Sequence, residues 1–177
     1  MGSLCLPIQY GWTSSASEKG SIRLLRISDI QRGDVNWATV PFCMTDPGNF
    51  DDFSIQKDDF LIARTGGTIG KSFLVQDVPS LAVFASYLLR VRPISSSLIP
   101  LFFLFIGCPY YWEQLIDKTN GTGQPNVNSV SLSRMKVCVP TKKYQNKVFH
   151  RYSELLPLLS KLSDFVRKSE EPVDKNL

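Results

Sequence analysis

Residues 59–71, Asp-Phe-Leu-Ile-Ala-Arg-Thr-Gly-Gly-Thr-Ile-Gly-Lys, set an apolar run against a loop with three glycines, two threonines and a basic residue at each end. Backbone N–H groups approach an anion closely only where side chains are absent, and glycine gives that access. Arg64 and Lys71 add positive charge suited to phosphate. The chemistry on offer is contact with a polyanion. A nucleotide-binding P-loop does not fit. Reading back from Gly70-Lys71-Ser72, the first glycine of that motif falls on Thr65. Phe73-Leu74-Val75 then reads as a strand, where a P-loop opens a helix. A ligand-free glycine-rich hairpin turn is the alternative for this loop.

A second loop, Asn120-Gly121-Thr122-Gly123-Gln124-Pro125-Asn126-Val127-Asn128, is dominated by amides. Asn and Gln pair bidentately with adenine in the major groove and also hold phosphates. Its alternative is a plain connection that caps a helix. Other reactive types are sparse. His150 is the lone histidine and falls on a solvated helix face. Asp51-Asp52 and Asp58-Asp59 read as solvated turn residues. No G-x-S-x-G, H-E-x-x-H, glycine-rich S-adenosylmethionine loop or Asn-Pro-Pro-aromatic motif occurs. Cys5, Cys43, Cys108 and Cys138 form no C-x-x-C pair, so reduced thiols are expected and a zinc site is not. The expectation is a binding surface with no catalytic residue, cofactor or metal.

Composition is compatible with that. Lys+Arg 20 against Asp+Glu 16 gives +4, which permits nucleic-acid binding without demanding it. The 177 residues suffice for one domain with an appendage, and 43% hydrophobic content suits a globular core. The most apolar run, Leu98 to Cys108, is too short for a bilayer and contains Pro100 and Gly107, so it reads as a buried helix. A cytoplasmic protein without membrane contact is expected.

The elements that must position the loops follow from periodicity and turn chemistry. Residues 22–30 alternate as a strand, followed by a turn at Gln31-Arg32-Gly33-Asp34. Thr45 to Asp52 is a loop around Asp46-Pro47-Gly48-Asn49. Phe60–Ala63, Phe73–Val75, Leu81–Val91 and Met135–Val139 read as strands, and Pro100–Lys118 as one helix. From Lys142 to about Lys168 the period becomes helical. Val148, Tyr152, Leu155, Leu159, Leu162 and Val166 are spaced 4-3-4-3-4, a heptad seam that suits a second chain or helix. An ordinary amphipathic helix capping its own core fits the same pattern. Pro157 removes a backbone hydrogen bond midway, so a kink or break is expected there.

Five stretches in this order resemble the target recognition domain of a type I restriction–modification specificity subunit. They are residues 25–30, 62–72, 83–90, Tyr110-Tyr111-Trp112 and Gly121-Thr122-Gly123-Gln124-Pro125-Asn126-Val127. Residues 142–168 sit where that family places its long spacer helix. The segment 139–145 departs from the family's pattern, with Tyr144 in place of an acid.

The resemblance implies an α+β fold. A mixed, strongly bent β-sheet recognition domain with flanking helices spans 1–140. A long coiled-coil-type spacer or dimerisation helix follows over 141–170, then a disordered tail at 171–177. It also implies a non-catalytic subunit that binds double-stranded DNA. A separate methyltransferase (modification) subunit and a restriction/translocase subunit would dock on it. Full-length subunits carry two recognition domains and read a bipartite site, so this chain resembles a half-subunit, expected to homodimerise through Val148, Tyr152, Leu155, Leu159, Leu162 and Val166.

In that frame Arg64, Lys71 and the backbone around Gly66-Gly67 hold phosphates, with Gln124, Asn126, Ser86 and Tyr87 on the same face. Base choice falls to Gln9–Ser17, with Tyr10, Trp12 and Thr13, and to the loop Phe42–Phe53. Thr65, Thr68, Gly123, Arg26 and Ser28 complete the expected DNA-binding set. Two other readings compete: a non-catalytic protein-interaction module, which predicts no salt-dependent affinity for duplex DNA, and the DNA-reading fragment of a single-chain restriction–methylation enzyme, which predicts no self-association through the helix.

Overall fold

The structure, a computed structural model, describes residues 1–31, 33–78, 81–119 and 126–170. The loop expected at 120–125 and the tail expected at 171–177 lie outside these residues, as do Gly123 and Gln124. Two compact units divide the chain, Met1–Cys138 and Val139–Leu177.

In the first unit the strands are β1 (Gln9–Tyr10), β2 (Ala16–Ser17), β3 (Arg23–Leu25), β4 (Ile30–Gln31), β5 (Asp34–Val35), β6 (Phe42–Cys43), β7 (Phe60–Ala63), β8 (Ser72–Leu74), β9 (Ala82–Phe84) and β10 (Leu88–Val91). The helices are α1 (Phe50–Phe53), α2 (Ile99–Gly107), α3 (Pro109–Thr119) and α4 (Ser129–Ser133). The fold is mixed α+β. Instead of one bent sheet, the described strands form an antiparallel sheet β1-β10-β7-β8, a second sheet β2-β6-β3-β9 in which β3 and β9 run parallel, and the hairpin β4-β5.

β7 shows why the apolar run at 60–63 is continuous. All four residues are buried. Successive strand side chains point to opposite faces. Phe60 and Ile62 join a core with Phe102, Phe105, Tyr111, Leu115 and Met135, whereas Leu61 and Ala63 join one with Leu25, Val35, Phe73, Phe84 and Leu88. A strand covered on both faces has no polar side to alternate with. A third cluster packs Leu24, Val83 and Cys43 with Trp12, Phe50 and Phe53.

Four expectations are corrected. The strand expected over 81–91 is two strands in different sheets. Ser86 and Tyr87 turn between them, with the Leu88 N–H donating to Ala85 O at 2.9 Å. The helix expected over 100–118 breaks at Cys108, because Pro109 has no N–H to continue the ladder and instead starts α3, bent by 65° from the preceding helix. The strand at 22–30 stops at Leu25, where Arg26 and Asp29 cap a 3-10 turn, Ile27–Asp29. Residues 135–139 form no ladder among the described residues. The Gln114 side chain takes the place of a neighbouring strand: its Oε1 accepts from the Lys136 N–H at 2.7 Å and its Nε2 donates to Lys136 O at 3.0 Å.

Asp59 is also not a solvated turn residue. Its carboxylate is fully buried and takes Arg92 Nε and Nη2 at 2.6 and 2.8 Å. Among the described residues no single helix is long and apolar enough to cross a membrane. Only the bent pair Ser96–Gly107 and Pro109–Ile116 has that length and composition together, and Leu101, Phe102, Phe105, Ile106 and Tyr111 from it are buried.

The second unit is α5 (Lys142–Glu170), which runs without interruption through Pro157. Within it Val148 and Tyr152 are partly buried, Leu155, Leu158 and Leu162 are exposed, and His150 is exposed beside Glu154 at 3.4 Å.

Candidate nucleic-acid interface

The glycine loop sits at the tip of the β7–β8 hairpin and is fixed from below. Gly70 has φ +80°, and its carbonyl accepts from Tyr111 Oη at 3.0 Å. A Cβ on Gly70 would lie 2.2 Å from Leu115 and 3.0 Å from Trp112. Helix α3 therefore grips the base of the loop. Gly66 and Gly67 at its top are exposed, and a Cβ there would meet nothing within 4 Å. Lys71 is exposed at the far end of the turn, its N–H donating to Thr68 O at 2.9 Å.

Arg64 links this loop to three other segments. Its guanidinium lies 4.8 Å from the Tyr10 ring, and its Nη1 reaches Ser86 O at 3.5 Å. Its backbone N–H donates to Tyr87 O at 3.1 Å, and its carbonyl accepts from the Val127 N–H at 2.9 Å. Thr65 and Asn126 form the adjoining antiparallel bridge. Nε of Arg64 is buried with no hydrogen-bond partner among the described residues. The stacked, partly buried cation is therefore oriented by the Tyr10 ring and the Ser86 carbonyl, with no carboxylate on it among the described residues. Cation–π stacking of this kind holds the guanidinium plane while leaving donors for an incoming anion. Tyr10 is itself held, because the Ser129 N–H donates to its Oη at 3.3 Å. Burial pushes the Tyr10 phenol up, but the Ser129 hydrogen bonds and the Arg64 charge outweigh it and lower its pKa from the ordinary value.

The two segments singled out for base choice meet. β2 pairs with β6, Trp12 packs on Phe53 with ring centroids 5.2 Å apart, and Trp12 Nε1 donates to Thr45 O at 2.8 Å. Thr13 is exposed beside this junction. These contacts link Tyr10, Trp12, Arg64, Thr65, Ser86, Tyr87 and Asn126 into one neighbourhood. Arg26 and Ser28 have no hydrogen bond to it among the described residues. Arg26 is engaged by Asp29 at 2.7 Å, and Ser28 is exposed in the 3-10 turn.

Two residues that tie the face together escape sequence reasoning. Gly11 lets β1 lie against the backbone of Phe84 and Ala85. Arg90, almost fully buried, donates to Ser54 O at 2.6 Å, to Asp52 O at 3.0 Å and to Gln9 Oε1, and lies 5.1 Å from the Phe84 ring. Burial, then the charge of Arg92, lower its pKa, with Asp59 and Asp52 opposing. One buried cation thereby fastens both segments expected to choose bases, 9–17 and 42–53, to β10. A charged residue inside the apolar run 88–91 was the available signal. Among the described residues no group of three or more His, Cys, Asp and Glu could hold a metal.

The first unit is a mixed α+β domain in which a ring-stacked arginine adjoins a loop with exposed glycines. The chain belongs to the type I restriction modification DNA specificity domain family, which it matches over residues 17–162. No curated protein matches it. Its fold is similar to a chain from a structure describing complex assembly and conformational transition of the type I R-M system, with TM-score 0.59 and 14% identity over 96% of this chain and 40% of that one. It is similar to the type I restriction–modification S subunit from M. genitalium, with TM-score 0.54 and 16% identity over 95% and 42%. The HsdS subunit from Thermoanaerobacter tengcongensis gives TM-score 0.59 and 13% identity over 97% and 39%. The chain thus spans about two fifths of the length of these structures.

Proposed function

We propose that this chain is the DNA-reading portion of a type I restriction–modification specificity subunit, recognising one half of a bipartite duplex site. The observation that carries this is the convergence on Arg64 of Tyr10, Ser86, Tyr87 and Val127 in a chain of this family. Arg64, Lys71 and the backbone at Gly66-Gly67 contact phosphates. Asn126, beside Thr65, lies along the same path, Gln124 is a further DNA contact in this reading, and the joined segments 9–17 and 42–53 choose bases. The chain performs no chemistry of its own. A methyltransferase subunit and a restriction/translocase subunit dock on it, and two copies pair through α5.

The test is duplex binding as a function of salt. Neutralising one phosphate contact lowers the slope of log K against log salt by about one. Lys71→Ala is expected to weaken binding to all sequences alike and to flatten the slope by that amount. A change in which bases are preferred would remove Lys71 from the phosphate role. Wild-type protein without salt-dependent duplex affinity would favour the protein-interaction reading instead.

A further inference from the structure

Met44 and Tyr87 are the two most exposed large apolar side chains of the unit Met1–Cys138, at 67% and 64%, among the described residues. They are far apart in sequence, yet Trp12 joins their neighbourhoods. Its indole donates to Thr45 O at 2.8 Å, and its carbonyl accepts from the Ser86 N–H at 3.0 Å.

Both stand on tied backbone. The Met44 N–H donates to Ser15 O at 2.9 Å and the Thr45 N–H to Ser14 Oγ at 3.1 Å. Tyr87 O accepts from the Arg64 N–H at 3.1 Å. A loose loop can fold an apolar side chain inward, whereas a tied one keeps it in water. An apolar side chain left in water gains free energy when a partner covers it. Tyr87 adjoins the Arg64–Tyr10 pair through that Arg64–Tyr87 bond. The nearest acid in sequence, Asp46, accepts from Ser21 Oγ at 2.7 Å.

In the major groove the apolar group that a base pair presents is the 5-methyl of thymine. Resting on the DNA reading above, we infer that Met44 and Tyr87 determine specificity by packing against thymine methyl groups, so that the recognised half-site carries A·T pairs where these two side chains reach.

The experiment selects duplexes from a randomised pool with the wild-type chain, alone and with its host's methyltransferase subunit. Each selected thymine is then replaced by deoxyuridine, which removes the methyl and keeps the pairing. At one or more positions affinity is expected to fall about fourfold, the worth of one buried methyl-sized group. Met44→Ala or Tyr87→Ala should bind the thymine and uracil duplexes equally at its own position, with an unchanged salt slope. Uracil duplexes that bind as tightly as thymine duplexes at every position would overturn the inference while leaving the DNA reading intact. So would variants that keep the wild-type discrimination. If the wild-type chain selects no duplex in either form, the DNA reading itself fails and this inference falls with it.

Discussion

Gly11 and Gly67 separate two uses of glycine. A Cβ at Gly11 would lie 2.2 Å from Ala85 O and 2.3 Å from Phe84 O, and backbone carbonyls cannot swing aside as a side-chain tip can. Gly11→Ala must therefore part β1 from the end of β9, at a cost of about 3 kcal/mol, the upper end for overpacking. In a chain of this size that lowers the melting temperature by about 6–12 °C. An unchanged melt would mean the segments do not approach so closely. Gly67 has open space around its Cβ position and no positive φ. Gly67→Ala should leave the melt unchanged and weaken DNA binding, because only the incoming phosphate meets the new methyl. The exposure of Gly66 and Gly67 was legible, since Gly-Gly flanked by Arg64 and Lys71 is a local pattern. Gly11 was not, because its reason lies in the carbonyls of residues 84 and 85, far along the chain.

At the scale of elements, Asp59 and Arg92 clamp the start of β7 to the end of β10. The buried carboxylate takes both Arg92 donors and the Gln56 N–H at 2.9 Å. Removing one partner of a buried pair costs about 3–5 kcal/mol when the other is left sealed from water. Arg92 is about a quarter exposed, so water recovers part of that and Asp59→Asn should cost about 2–3 kcal/mol. Arg92→Ala strands the carboxylate and should cost at least as much. The double variant should lose clearly less than the sum in urea denaturation, as contacting residues do. Additive losses would show that the two side chains act independently. The sequence made β7 legible and hid this clamp, because an acidic pair before a strand looks alike whether solvated or buried until its partner 33 residues on is known. The split of 81–91 was hidden for a related reason. Both β9 and β10 are buried on both faces, so no change of alternation marks the turn at Ser86. The break before Pro109 did carry a local signal, a proline inside a helical run, and a rule that ends helices there would have found it.

For the whole molecule the open quantity is how many recognition faces act together. α5 extends for 29 residues, about 44 Å at 1.5 Å per residue, and exposes Leu155, Leu158 and Leu162 within its own unit. Pro157 removes one hydrogen bond without ending the helix. Two copies packed along the heptad seam would carry two identical faces related by a two-fold axis, which reads an inverted repeat with a fixed spacer. Leu155→Asp with Leu162→Asp would place four carboxylates in that seam, where burying unpaired charge costs more than the lost leucine contacts return. The expected result is a wild-type dimer and a variant monomer by sedimentation equilibrium. The monomer should keep its affinity for a single half-site and lose about 10²- to 10⁴-fold on the paired site, the gain that linkage supplies. A variant that stays dimeric would exclude this seam. A wild-type monomer that still prefers a bipartite site would require the second recognition face to come from a different chain.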